Sequence, residues 1–241
     1  MGYLLTVLAA VYGAVAGLLL PRAGYRLAVE SGAPWLRDCP AGHRLSGWVG
    51  GNRCGPCEGA RYGPSATRCA VLTAAVCAVL AAAVGPRPEL AVWLVLVPGL
   101  LLLALVDRAV HRLPDVLTLP LGAVCAVLLG AAWALPGSVG DWPRALLAGL
   151  ILAAGYFVLF LISPRGMGFG DVKLALPVGV ALGWYGWDVV LTGTFAGFVL
   201  GAGYGLWQVG RGRATRRTAM PFGPFMVAGA LAALALGGLS G

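Results

Sequence analysis

Residues 90–106 read LAVWLVLVPGLLLLALV, 17 in a row without a charge, and the run stops at Asp107. A helix needs about 20 predominantly apolar residues to cross the hydrocarbon core of a bilayer. The pattern recurs at 2–20, 69–84, 116–135, 145–163, 171–184, 187–207 and 222–239. Across the 241 residues, 59% are hydrophobic and 11% charged. A soluble domain carries roughly a quarter charged residues. So few charges cannot cover a globule of this size, and the bilayer is the natural solvent. The expectation is an all-α integral membrane protein of about eight transmembrane helices with a short cytoplasmic Cys-containing insertion. The sixth run is short and contains Pro177, so it is expected to tilt, kink or begin inside a protein-lined cavity.

Residues 2–20 have the apolar character of a secretory signal. No basic stretch precedes them, and no Ala-x-Ala site follows before Pro21-Arg22, so they read as a first span. The organisation expected is a first helix at 1–20, a cytoplasmic segment at 21–68 and a membrane domain at 69–241.

The chain has 17 basic and 9 acidic residues, net +8. With both termini outside, the inner segments are 21–68, 107–115, 164–173 and 208–221. They include Arg108, Arg112, Arg165, Lys173, Arg211, Arg213, Arg216 and Arg217, together with the arginines of 21–68; only Arg87 and Arg144 are left outside. This split follows the positive-inside rule. It makes the lipid bilayer and its anionic headgroups the partner of the basic residues. No aromatic-plus-basic platform suggests nucleic acid.

Ionisable residues at membrane depth are costly and mark function by default. Asp107 ends the third run in LLLALVDRAVHRLPD, and Asp171 opens the sixth in GMGFGDVKLAL. The topology puts both at the cytoplasmic boundary. Two close carboxylates that share one proton can hydrolyse a peptide: one activates water and the other donates to the scissile carbonyl. The dipoles of their own helices suggest that Asp107, at a C-terminus, holds the proton and that Asp171, at an N-terminus, is the base. Simpler readings are an N-cap for Asp171 and a snorkelling residue for Asp107. Asp115, after Pro114, reads as an N-cap of the fourth span, and Asp141 and Asp188 as solvated loop residues.

These stretches resemble the type IV prepilin peptidases, a family of membrane aspartic proteases. DRAVHRLPDVLTLPL at 107–121, Gly168-Phe169-Gly170-Asp171-Val172-Lys173 and MPFGPFMVAGA at 220–230 carry the likeness, in the family's order. The resemblance implies Asp107 and Asp171 as the catalytic pair and needs no cofactor for proteolysis. It implies prepilin or pseudopilin precursors as partners, cut between a basic leader and a hydrophobic helix at the cytoplasmic face of the bacterial inner membrane. Gly168 and Gly170 would let backbone approach closely. Lys173 would hold substrate or stabilise charge, or simply snorkel.

Cys39-Pro-Ala-Gly-His43 and Cys54-Gly-Pro-Cys57 offer a Cys3His set that suits tetrahedral zinc, and a cytoplasmic location argues against disulfides. NRCGPCEGARYGPS at 52–65 resembles the second Cys pair of an inserted domain in many prepilin peptidases, whereas the first pair is broken, with Gly42 and His43 near the place of its second Cys. Members with the full domain also methylate the new N-terminus with S-adenosylmethionine; no glycine-rich cofactor loop is present, so that activity stays open. Cys69, Cys77 and Cys125 lie in or beside spans and read as packing residues. Two other readings fit parts of the pattern. A presenilin-like protease also uses Gly-x-Gly-Asp, but its other Asp usually follows Tyr, where Val106 stands here. A non-catalytic transporter or scaffold would carry its polar groups at mid-membrane rather than at one face.

Overall fold

The computed structural model describes residues 2–164, 167–213 and 220–240. Arg165, Arg216 and Arg217, three residues of the charge argument, lie outside the described residues. Eight helices follow in order: α1 Gly2–Leu27, α2 Ala66–Val84, α3 Pro88–Val110, α4 Asp115–Trp133, α5 Trp142–Ile162, α6 Phe169–Gly183, α7 Trp187–Gly210 and α8 Gly223–Ser240. A two-stranded hairpin, β1 Arg53–Cys54 against β2 Ala60–Arg61, lies between α1 and α2.

Among the described residues, seven helices are long and apolar enough to cross a membrane. The exception is α6, with 15 residues. It is buried along most of its length and touches α4, α5, α7 and α8. A short helix is tolerable at membrane depth when protein surrounds it. The outward faces carry large apolar residues such as Leu8, Val11, Leu150, Ile151, Leu191 and Phe195, all exposed. Patches of this kind have no place in water and suit lipid.

The first helix runs past its expected end. Pro21 lies inside it, buried. The apolar contacts of Leu20, Ala23 and Leu27 with Leu102 and Val106 of α3 outweigh the hydrogen bond that proline removes. The helix opens beside the proline, and the following segment bonds there: Arg22 N–H donates to the Gly50 carbonyl at 3.1 Å, and Gly50 N–H donates to the Leu19 carbonyl at 2.8 Å. Pro21 thus makes the socket that ties the Cys-containing segment to the membrane domain.

Arg87 and Arg144, the two arginines at the opposite end from Asp107, have a specific use. Arg87 donates to the carbonyls of Ala83 and Val84 in α2 and of Gly238 in α8. Arg144 donates to the carbonyls of Gly183 and Trp184, at 3.0 and 2.8 Å, where α6 ends. Both satisfy orphan carbonyls at helix C-termini. Asp141 belongs to the same end. It is not merely solvated, because its carboxylate caps α5 by accepting from Arg144 N–H at 2.7 Å. Asp188 falls in the first turn of α7.

α1 and α2 pack closely through Gly13 and Gly17. A Cβ at either position would sit 2.6 Å from a carbonyl oxygen of α2, that of Thr73 or Cys69. Small residues four apart allow this approach in lipid, where dispersion contacts drive association. Gly17→Leu is expected to lower the thermal midpoint in detergent by several degrees or prevent accumulation in the membrane. Gly155→Leu, where nothing lies within 4 Å of the added Cβ, is expected to leave the midpoint unchanged.

Candidate active site

Asp107 sits on the last turn of α3 and Asp171 on the first turn of α6. They are 4% and 6% exposed and line one cavity of about 410 Å³. α3 ends because His111 adopts a left-handed conformation (φ 51°), with its N–H on the Asp107 carbonyl at 2.8 Å. The chain then turns through Leu113 and Pro114 into α4, and Leu113 becomes part of the cavity wall.

Each carboxylate is held by a backbone donor. Asp171 Oδ2 accepts from Gly168 N–H at 3.2 Å. Gly168 is the N-cap of α6, so Asp171 occupies the third helical position rather than the cap. Asp107 Oδ2 accepts from Gly223 N–H at 3.0 Å. Gly223 is the first residue of α8, so Asp107 faces the N-terminus of another helix while closing its own. Both carboxylates therefore meet a positive helix end. The dipole asymmetry expected from their own helices is removed, and with it the basis for assigning the proton to Asp107.

Gly223 is the site residue that sequence reasoning missed. A Cβ there would lie 2.7 Å from Asp107 Oδ2. A backbone donor leaves no side-chain signature; in the sequence Gly223 stands only as one position of the MPFGPF stretch that opens the last span. Of the two glycines in the Gly-Phe-Gly-Asp stretch, Gly170 serves close approach, since a Cβ would meet Leu113 Cβ at 3.0 Å. Gly168 adopts φ −75° and ψ 146°, an extended conformation open to other residues.

Lys173 lines the same cavity and pairs with Asp115 Oδ1 at 2.6 Å. Its ammonium lies 5.0 Å from the Phe169 ring centroid. It joins α6 to α4 instead of snorkelling alone. Asp115 is accordingly not the expected N-cap: Pro114 occupies that position, and the Asp115 side chain is spent on Lys173.

The four residues of the Cys/His set come together as two turns facing each other. Cys39 N–H donates to the His43 carbonyl at 2.9 Å, closing the first turn. Cys54 ends β1 and Cys57 lies on the turn that leads to β2, where Gly59 N–H donates to the Cys54 carbonyl at 3.0 Å. Cys39 Sγ is 3.7 Å from both Cys57 Sγ and His43 Nδ1, and all four donor atoms lie within 4.8 Å of one another. Desolvation opposes ionisation of the Cys39 thiol, but hydrogen bonds from the His43 and Ala41 backbone, then from the His43 and Cys54 side chains, hold it down at about 6. The hydrogen bond with Cys54, desolvation and the charge on Cys39 push Cys57 up to about 12. The protein alone does not favour a second thiolate at Cys57, which is the situation a bound cation relieves. The cluster could hold a metal ion. Cys69, Cys77 and Cys125 are buried in the helix packing.

Residues 94–206 match the model of the Type IV leader peptidase family. A prepilin leader peptidase/N-methyltransferase of Burkholderia pseudomallei is 32% identical to this chain, over 89% of it and 70% of the relative. The chain belongs to the type IV leader peptidase family. A relative of the same name from Pseudomonas putida is 31% identical over 94% of this chain and 89% of its own length. One from Aeromonas hydrophila is 34% identical over 78% and 63%. No solved structure gives a significant match. The matched stretch includes Asp107, Asp115, Asp171 and Lys173, and it ends before Gly223.

Gly223→Ala should push the Asp107 carboxylate off its donor. Loss of a charge-assisted hydrogen bond corresponds to about tenfold to a hundredfold in rate. The expected outcome is a fall of that size in proteolytic kcat/KM, with the protein still in the membrane and its thermal midpoint in detergent lowered by a few degrees.

Proposed function

We propose that this chain is a membrane aspartic endopeptidase that removes the basic leader from type IV prepilin-like or pseudopilin precursors at the cytoplasmic face of the inner membrane. The observation that carries the reading is the shared cavity: Asp107 from α3 and Asp171 from α6, far apart in sequence, line the same space at one end of the bundle. Membership of the leader peptidase family supports the same chemistry, and the relatives' names supply the substrate class. The cytoplasmic orientation rests on the distribution of basic residues.

In this mechanism the two carboxylates hold one proton between them, because two like charges facing one cavity away from water disfavour double ionisation. The ionised member takes a proton from a water molecule, which attacks the scissile carbonyl. The protonated member donates to the carbonyl oxygen as the tetrahedral intermediate forms. In the collapse the carboxylic acid formed in the first step gives its proton to the leaving amine, the other carboxylate takes a proton back from a hydroxyl of the intermediate, and the C–N bond breaks. Gly168 and Gly223 N–H groups fix the carboxylates before substrate arrives, so little reorganisation is needed during reaction. The pair titrates as a unit, with no fixed division of roles.

Co-expression with a tagged prepilin-like substrate tests this. Asp107→Asn and Asp171→Asn are each expected to lower cleavage by about a thousandfold or more, with the protein still in the membrane. Cleavage that persists in both variants rejects the dyad.

Zinc is the metal proposed for Cys39, His43, Cys54 and Cys57. Zn–S bonds of about 2.3 Å in a tetrahedron place sulfurs roughly 3.8 Å apart, and Cys39 and Cys57 are 3.7 Å apart here. The ion would brace the two turns; it has no part in proteolysis. Purified protein is expected to carry about one zinc per chain, and Cys54→Ser to lose it with a lower thermal midpoint. Metal-free wild-type protein would end the assignment.

S-adenosylmethionine fits less well. The cavity beside the Cys/His turns is lined by four arginines and no carboxylate. Such a surface suits an anion, not a sulfonium cation.

A further inference from the structure

That cavity has a volume of about 630 Å³ and lies between the last turn of α1, residues 32–48 and the residue just beyond the end of α3. Its charged lining is Arg26, Arg37, Arg44 and Arg112, and its aromatic lining is Trp35 and Trp48. Among the described residues, no carboxylate forms an ion pair with any of the four. The nearest acids in sequence, Glu30, Asp38, Asp107 and Asp115, do not line it.

Two of the arginines are fixed in place by uncharged groups. Arg112 Nη1 donates to the Glu30 carbonyl at 2.9 Å, using the backbone of that residue and not its carboxylate. Arg26 donates to the Gly47 carbonyl, and its guanidinium lies 4.2 Å from the Trp48 ring centroid. Arg26 Nε is buried and finds no acceptor. The two indoles meet edge to face, with centroids 5.0 Å apart. Four guanidinium groups converging without a counter-charge repel one another. An anion that accepts several N–H donors at once relieves that cost, and phosphate oxygens match the fork of arginine.

The position of the cavity narrows the anion. Arg26 is in the last turn of α1 and Arg112 follows the end of α3, both helices long enough to span a membrane. The site therefore lies where these helices leave the apolar layer, at headgroup depth. Trp35 and Trp48 are 44% and 41% exposed, as suits residues of a membrane–water interface. A basic leader would be repelled here, and so would a sulfonium ion.

We propose that this cavity binds the phosphodiester headgroup of an anionic phospholipid such as phosphatidylglycerol, with Trp35 and Trp48 against its glycerol and upper acyl region. Arg112 also lines the cavity of Asp107 and Asp171, so the lipid would sit beside the dyad. The inference concerns binding alone and does not depend on the proteolytic reading.

Full-length protein in nanodiscs of equal phosphatidylglycerol and phosphatidylcholine, released into detergent, can be weighed by native mass spectrometry. Wild type is expected to retain one phosphatidylglycerol over phosphatidylcholine by about tenfold. Arg37→Gln/Arg44→Gln should reduce that preference to near unity. Arg37→Lys/Arg44→Lys, which keeps the charge, should retain most of it and controls for folding. Arg53→Gln/Arg61→Gln, on the hairpin and outside the cavity, should match wild type. An unchanged preference in Arg37→Gln/Arg44→Gln overturns the proposal. So does displacement of the lipid by millimolar inorganic phosphate, which would mark a soluble anion as the ligand. Binding of S-adenosylmethionine that is lost in Arg37→Gln/Arg44→Gln would overturn it too.

Discussion

Two carboxylates removed from water must be given hydrogen-bond donors, and here each receives a backbone N–H at the start of a helix. Asp171 is held by Gly168 of its own helix, and Asp107 by Gly223 at the start of α8. The cost of burying an unsatisfied acceptor is about 1–3 kcal/mol, more for a charged one. That requirement fixes where α3, α6 and α8 end relative to one another. It also accounts for the short α6, whose first turn must lie at the depth where α3 finishes. Gly223 has room for no side chain, because a Cβ would press on the carboxylate it serves. Lys173 and Asp115 add a tie between α6 and α4 at the cavity edge, where an exposed pair contributes little energy but limits the approach of the two helices.

The segment between α1 and α2 depends on the membrane domain in a different way. It has a small core of Cys39, Leu45, Cys54 and Tyr62. Its attachment is through Gly50 at the backbone gap made by Pro21, and through Arg22, whose side chain reaches the Tyr62 hydroxyl at 3.3 Å. A proline inside a helix, normally a defect, exposes the donors and acceptors that another segment then uses. The arginine-lined cavity lies along the same seam, with Arg112 common to it and to the dyad cavity. A ligand there would touch both parts of the protein at once.

Much of this was legible in the sequence. Long uncharged runs reveal helices because the bilayer demands them, and all eight were found in the order expected. The cluster of Cys39, His43, Cys54 and Cys57 was legible from spacing. What escaped depended on contacts that leave no local trace. The extension of α1 through Pro21 needed the α3 surface against which it packs. Lys173 and Asp115 are 58 residues apart, and neither neighbourhood names the other. Glu89 is wholly buried with Arg87 only 3.9 Å away, yet in the sequence it is one acid at the edge of a run. The Gly223 amide was least visible of all, since a main-chain donor has the same chemistry at every residue but proline. Its absence from the sequence reading made the dipoles at the two aspartates look opposed when both face helix N-termini.

Coupling between Asp107 and Asp171 across their shared cavity can be measured directly. A peptidomimetic with a secondary alcohol in place of the scissile amide would place its hydroxyl between them. Its Kd should be measured for wild type, Asp107→Asn, Asp171→Asn and the double variant in the same detergent. If the pair acts as one unit, each single change weakens binding by about a hundredfold and the double change adds little more. Losses that multiply in the double variant, or a single change that leaves binding intact, would contradict it.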